Sequence, residues 1–250
     1  DTARWKLDGY SDEMIIHEAG RDVIATGRMT SGALFWYVHG GLLEASEKLE
    51  EWDPHLKRPV REVLEESFAK GWQNVWPRPG NDPRMMFVLG SNPLRRVRCY
   101  PLILKHLWPK LHTIVTLDWR MSSTGLQSDW VLPAAAWYER SEHKWVTPLM
   151  PYIHSGEKAT TFYEAKSDWE IISRLTEATD RRARERGIAS FVDRRGDTRP
   201  LDNLYEKFSQ SGKFGHEDDE KVCAALLEGA SNLGGVTWEE LKKKGFAPFK

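Results

Sequence analysis

An α/β fold, a Rossmann-like parallel sheet flanked by helices with further helical segments at both ends, is what these 250 residues predict. Three observations carry it. Residues 85–89 and 113–117 are short apolar runs without polar alternation, as expected of strands covered on both faces. A helix-like stretch, 94–108, separates them, so strand, crossover and strand repeat within about 45 residues, the spacing of a parallel βαβ unit. Each run ends in small or polar residues, Gly90-Ser91-Asn92-Pro93 after the first and Asp118 after the second.

The elements follow in order. Ser11-Asp12-Glu13 is a helix start with acids in its first turn. Residues 31–41 form a continuous apolar stretch closed by Gly40 and Gly41, either a buried strand or a buried helix, since periodicity alone does not separate the two. Residues 59–69 form an amphipathic helix with Val60, Val63, Leu64 and Phe68 on one face. The breaker run Trp76-Pro77-Arg78-Pro79-Gly80-Asn81-Asp82-Pro83 is an internal boundary. Pro101 starts or kinks the helix over 94–108. Residues 122–127 can form a short helix, and Val131-Leu132 is a third run cut by Pro133. Loop and short aromatic-rich strands fill 137–163. Ser167 is an N-cap with Glu170 completing a capping box. Ile171, Ile172, Leu175 and Ala178 form that helix's apolar face, four arginines end it and Gly187 caps it. Arg194-Arg195-Gly196-Asp197 is a turn, followed by helical segments over 201–208, 218–228 and 237–244. The chain thus divides into a helical connecting segment (1–82), a Rossmann-like domain (83–190) and a helical tail leading to a further domain (191–250).

Composition excludes several classes. Hydrophobic residues make 40% and charged residues 29%, which places the chain among globular proteins. Lys and Arg total 36 against 37 Asp and Glu, so no electrostatic footprint for nucleic acid exists. No apolar run is long enough to span a membrane. Cys99 and Cys223 cannot build a disulfide framework or a four-thiolate cluster site. The eight histidines lack metal-ligand spacing, and no phosphate-loop lysine, dinucleotide glycine fingerprint or nucleophile elbow is present. The first residue is Asp1, without a start Met or signal peptide, and the chain reads as an internal piece of a longer protein.

In an open parallel sheet, ligands bind beyond the carboxyl ends of the strands. The loops at 90–93 and 118–124 open into one crevice if their strands are neighbours. Gly90 lets backbone approach a ligand, Ser91 and Asn92 offer short polar groups, and the following helix N-terminus favours phosphate. Asp118 can accept two donors from a purine amino and imino edge. Ser122, Ser123 and Thr124 add hydroxyls and a second helix start. Arg95, Arg96 and Arg98 lie close enough in sequence to contact pyrophosphate. A plain turn at 90–93 and a helix cap at Asp118 are the bland alternatives.

The series Gly90-Ser91-Asn92-Pro93-Leu94, Asp118-Trp119-Arg120-Met121-Ser122-Ser123-Thr124, Ser128-Asp129-Trp130-Val131-Leu132-Pro133-Ala134-Ala135, Trp137-Tyr138-Glu139 and Ser167-Asp168-Trp169-Glu170-Ile171 resembles the molybdopterin oxidoreductases of the dimethyl sulfoxide reductase family. The order of the pieces over about a third of the chain makes the likeness specific. Arg120-Met121-Ser122-Ser123-Thr124 and Pro151-Tyr152-Ile153-His154 look most like the branch of nitrate, selenate and perchlorate reductases and of dimethyl sulfide and ethylbenzene dehydrogenases.

The resemblance implies that 83–190 binds part of a bis-(molybdopterin guanine dinucleotide) cofactor carrying molybdenum. It assigns to that role Gly90, Ser91, Asn92, Pro93, Asp118, Arg120, Ser122 and Ser123, with Asp129 open between that role and a structural one. Trp137, Glu139 and Trp169 are read as packing, strand-end and capping residues. No catalytic or metal-ligating residue is assigned within these 250 residues. The family's metal-ligand segment, its iron–sulfur cysteine motif and its C-terminal barrel have no match here. The implied activity is two-electron redox of a small substrate, by oxyanion reduction or by hydrocarbon or sulfide oxidation, with electrons exchanged with an iron–sulfur cluster and an iron–sulfur subunit. The implied location is the periplasm, with the cytoplasm open as for respiratory nitrate reductase. The alternative is a non-catalytic nucleotide-binding or assembly module with the same fold.

Overall fold

The protein is described here by a computed structural model, covering residues 32–47, 51, 53–73, 75–144, 150–192 and 198–249. The helix start expected at Ser11 and the turn expected at 194–197 lie outside them. The chain forms two compact units, Asp1–Thr116 with Met121–Val131 and Leu117–Arg120 with Leu132–Lys250. Among the described residues no helix is long and apolar enough to cross a membrane.

The ambiguous apolar stretch is a helix, α1 (Gly32–His39). Its Phe35 and Trp36 pack on a core of Leu94, Ile103 and Leu107. His39 is buried, and its Nε2–H donates to the Pro77 carbonyl oxygen at 2.7 Å. Burial pulls its pKa below the ordinary histidine value. Gly41 then turns the chain at φ 75°, where a Cβ would lie 2.3 Å from the His106 ring. Both the backbone conformation and the space demand glycine. Two more helices follow, α2 (Leu42–Ser46) and α3 (Val60–Ala69).

Next come β1 (Met85–Leu89), α4 (Pro93–Arg96), α5 (Tyr100–His106), β2 (Thr113–Asp118) and β3 (Trp130–Pro133). The strands form a parallel three-stranded sheet in the order β1-β2-β3. β2, in the middle, buries Ile114, Val115, Thr116 and Leu117, as expected. β1 departs from expectation. It is an edge strand, and Met85, Phe87 and Leu89 are exposed while Val88 is buried, the period-two pattern of one covered face. The single crossover helix is two helices, because Val97 is extended and Cys99 takes a left-handed φ of 59°. Pro101 sits in the first turn of α5, where its missing N–H is harmless, so the chain restarts rather than kinks. The short helix expected over 122–127 is one 3₁₀ turn, Gly125–Gln127.

The second unit continues with β4 (Glu142–Lys144), β5 (Tyr152–Gly156), α6 (Asp168–Glu185), β6 (Ser190–Val192), β7 (Thr198–Pro200), α7 (Leu204–Phe208), α8 (Asp219–Glu228), α9 (Trp238–Lys244) and β8 (Phe246–Pro248). β4, β5 and β8 form an antiparallel sheet in that order. Ile153, Cys223, Leu227, Leu233, Trp238, Leu241 and Ala247 form its core.

Ser167 caps α6 by accepting from Glu170 N at 3.0 Å. The Glu170 carboxylate pairs with Arg174 and Lys166 instead of returning to the cap, so the reciprocal half of the expected box is missing. A complete box forms at Thr237 and Glu240. Gly187, at φ 66°, ends α6 in a Schellman arrangement, with Ile188 N on Ala183 O at 2.9 Å. Trp169 is structural, stacking on Phe208 and donating to Gly215 O.

Asp180 is buried, and its carboxylate accepts from Leu204 N at 2.7 Å and Tyr205 N at 2.9 Å, anchoring the start of α7. Asp180→Ala is expected to lower the stability of the second unit by about 1–3 kcal/mol, the scale for stranding buried donors, with Asp180→Asn less damaging. Urea unfolding of the variants measures this. The Cys223 thiol is buried and its pKa is pushed up by desolvation to about 11, whereas Cys99 is exposed. A thiol reagent at neutral pH should therefore label Cys99 in the native chain and reach Cys223 only after denaturation.

Candidate functional site

In the first unit, the loops after β1 and before β3 are bolted together. Gly90 leaves β1 at φ 55°, a conformation that favours glycine, with open space around its Cα. Asn92 Oδ1 accepts from both the backbone N–H (3.2 Å) and the hydroxyl (2.8 Å) of Thr124. Thr124 Oγ1 in turn accepts from Leu94 N at 3.2 Å. The Thr124 carbonyl oxygen receives the Ser128 hydroxyl at 2.8 Å, and Ser128 pairs with Thr116 on β2 at 2.7 Å. Thr124 and Thr116 are fully buried.

The segment 90–94 therefore meets the segment 122–124 at Thr124, through direct hydrogen bonds with Asn92 and Leu94. Ser122 is buried and accepts from Gly125 N at 3.1 Å, while Ser123 is exposed. Asp129 accepts from Ile114 N at 2.7 Å through Oδ2, so its carboxylate pins the start of β2.

The helix starts expected to receive phosphate are weaker than the sequence implied. α4 has a single turn, and its Leu94 N–H is already spent on Thr124; the second start is a 3₁₀ turn whose Gly125 N–H is held by Ser122. Among the described residues of these loops and their flanks, the groups left open to an anion are the Ser123 hydroxyl, half-buried Ser91 and the exposed side chains of Arg95, Arg96 and Arg98.

In the second unit, Asp118 ends β2, with its carbonyl oxygen accepting from Ala134 N at 3.1 Å. Its half-buried carboxylate accepts from Trp119 N at 2.8 Å through Oδ1, the one donor it has among the described residues. Arg120 is exposed, with its guanidinium 5.5 Å from the Trp119 ring centroid. Glu139 is structural, closing its own turn by accepting from Ala136 N at 2.6 Å. Trp137 is not a packing residue: it is 53% exposed, 4.9 Å from Trp119 between ring centroids. Lys144 Nζ lies 4.2 Å from the Trp137 centroid. Sequence reasoning passed over Trp119 as a site residue and Lys144 altogether; a strand lysine seven residues from a tryptophan carries no signal until the strand folds back. Among the described residues no group of His, Cys, Asp and Glu could hold a metal ion.

A model of the molybdopterin oxidoreductase family matches residues 7–178. The chain is 30% identical over 222 residues to the perchlorate reductase subunit alpha of Dechloromonas aromatica, covering 88% of this chain and 23% of that one. It is 31% identical over 206 residues to the respiratory nitrate reductase subunit alpha of Haloferax mediterranei (78% of this chain, 20% of that one). It is 28% identical over 233 residues to the dimethylsulfide dehydrogenase subunit alpha of Rhodovulum sulfidophilum (88% and 24%). The chain belongs to the molybdopterin oxidoreductase family. It spans about a quarter or less of the length of these relatives. Membership implies a molybdenum–pterin cofactor, and the three relatives are named as alpha subunits.

Asn92→Ala removes the acceptor for two Thr124 donors. It should cost about 1–3 kcal/mol, the range for buried groups left unpaired. Faster hydrogen exchange at the Thr124 amide is the local readout, with Asn92→Asp retaining most of the protection.

Proposed function

We propose that this chain supplies the nucleotide-holding part of a catalytic subunit that carries out two-electron redox of a small substrate, either oxyanion reduction or oxidation of a hydrocarbon or sulfide. The observation that carries the proposal is the family match over 7–178, which includes both loops described above. The proposed cofactor is bis-(molybdopterin guanine dinucleotide), whose molybdenum supplies the two-electron chemistry while the protein positions it.

Within each unit taken by itself, the residues present offer groups suited to the nucleotide end of such a cofactor. Asp118, oriented by the Trp119 N–H, offers acceptor oxygen to a guanine amino and imino edge. Ser91 and Ser123 offer hydroxyls to phosphate, Gly90 lets backbone approach, and Arg120 supplies a cation. Asn92 and Ser122 act by fixing the backbone of the two loops, Pro93 opens α4 and Asp129 holds the start of β2. An iron–sulfur cluster and an iron–sulfur subunit are the proposed electron carriers; the naming of the relatives as alpha subunits supports only the presence of further subunits. The proposed compartment is the periplasm.

The test is on the full-length natural protein purified anaerobically. About one molybdenum and about two guanine nucleotides per chain, with several irons, support the reading. Absence of all three from well-folded protein overturns it and leaves a non-catalytic module. Asp118→Ala should weaken cofactor retention by about 2–3 kcal/mol, the scale for charge-assisted hydrogen bonds. Released guanine per purified chain measures the loss.

A further inference from the structure

Residues 83–117 contain no Asp or Glu, yet carry Arg84, Arg95, Arg96, Arg98, Lys105 and Lys110 in a chain whose net charge is -1. Carboxylates from outside the stretch reach part of it. Glu44 is taken by Lys105 at 3.1 Å and His106 at 2.7 Å, and Asp82 by Lys110 at 2.8 Å. Arg95, Arg96 and Arg98 are exposed, and none of their side chains makes an ion pair or hydrogen bond among the described residues. Arg58, Arg61 and Arg182 are exposed as well, but each reaches a carboxylate, at 2.6, 3.0 and 2.8 Å. The backbone builds this display. Leu94 is buried and Val97 packs on the same core, so α4 turns Arg95 and Arg96 outward. The break at Val97 and Cys99 then leaves Arg98 uncovered, together with the start of α5, where Tyr100 is 46% exposed.

We propose that Arg95, Arg96, Arg98 and Tyr100 form a docking surface for an acidic face of a partner protein. This surface is independent of the cofactor reading. Neighbouring guanidiniums repel one another and give the fold nothing in return, whereas carboxylates brought by a partner turn that cost into charge-assisted, bidentate pairs. Arginine suits the task better than lysine, because its planar fork is weakly hydrated and matches a carboxylate. Arg and Tyr are also among the residues that carry most binding energy at protein interfaces. The surrounding charge selects a protein over an extended polyanion. Acidic groups begin at the other end of α5 with Glu44, and Glu62 and Glu65 on α3 are exposed. A nucleic-acid backbone or an anionic bilayer runs on past the arginines toward such repelling carboxylates, but the acidic patch of a protein can end where the arginines end.

The test uses the full-length natural protein in the cells that make it, with the photoreactive p-benzoylphenylalanine in place of Tyr100, an aromatic exchange at an exposed site. Irradiation should cross-link a second protein chain, through a segment in which Asp and Glu outnumber Lys and Arg. Arg95→Glu, Arg96→Glu and Arg98→Glu combined should cut the cross-link yield about tenfold or more, and Arg95→Lys, Arg96→Lys and Arg98→Lys combined by no more than about threefold. The cross-linked segment, made as a synthetic peptide, should bind the purified protein at about 20 mM salt and lose about tenfold in affinity at about 200 mM.

Cross-links confined to other segments of this same chain overturn the docking surface, because the chain then covers its own arginines. Cross-links to nucleic acid or lipid overturn the choice of a protein partner. No cross-link, or a yield indifferent to charge reversal, overturns the proposal outright. So does a fall in guanine nucleotide per chain in the folded Glu variant, since the arginines then serve the nucleotide.

Discussion

Thr124 has no access to water, and each of its polar atoms is met by protein. A buried hydroxyl and its backbone groups left without partners would cost more than most single contacts return. Both of its donors are satisfied by one side chain, Asn92, two residues past Gly90 and 32 residues before Thr124 in sequence. Through it the loop leaving β1 is held to the loop entering β3, and through Ser128 and Thr116 both are held to β2. Hydrogen bonds in such a buried chain polarise and reinforce one another. The positions of Ser91 and Ser123 follow from this network rather than from the sheet alone.

The same network changes what the loops can do. Helix starts are ordinarily good phosphate sites because their amides are unpaired. Here Leu94 N–H is consumed in tying the two loops together and Gly125 N–H in closing the turn on Ser122. Rigidity has been obtained with the groups that would otherwise face an anion, so that in the proposed function phosphate would be met by hydroxyls and cationic side chains. A loop fixed in this way holds a large cofactor with little ordering entropy left to lose on binding.

Much of the architecture was legible before folding. The apolar runs of β1 and β2, the Ser167 cap and the Gly187 stop were each readable because their causes are local: unbroken apolar sequence, a capping hydroxyl, a left-handed glycine. The helical nature of residues 32–39 was not readable, since a wholly apolar run has no period to measure. The break between α4 and α5 depends on Cys99 adopting φ 59°, which no residue type near it announces. The exposed face of β1 follows from its edge position, a property of strand order and not of composition.

The site divides along the same line. The residue types, Gly90 and Asp118 after two strands and serines at the next turn, were set by the sequence itself, because chemistry and spacing are one-dimensional. The pairing of Asn92 with Thr124, the commitment of Asp129 to Ile114 and the meeting of Trp119, Trp137 and Lys144 are long-range contacts. Only the folded chain decides them, since whether a polar group serves a ligand or a neighbouring amide depends on which donors burial brings within about 3 Å of it.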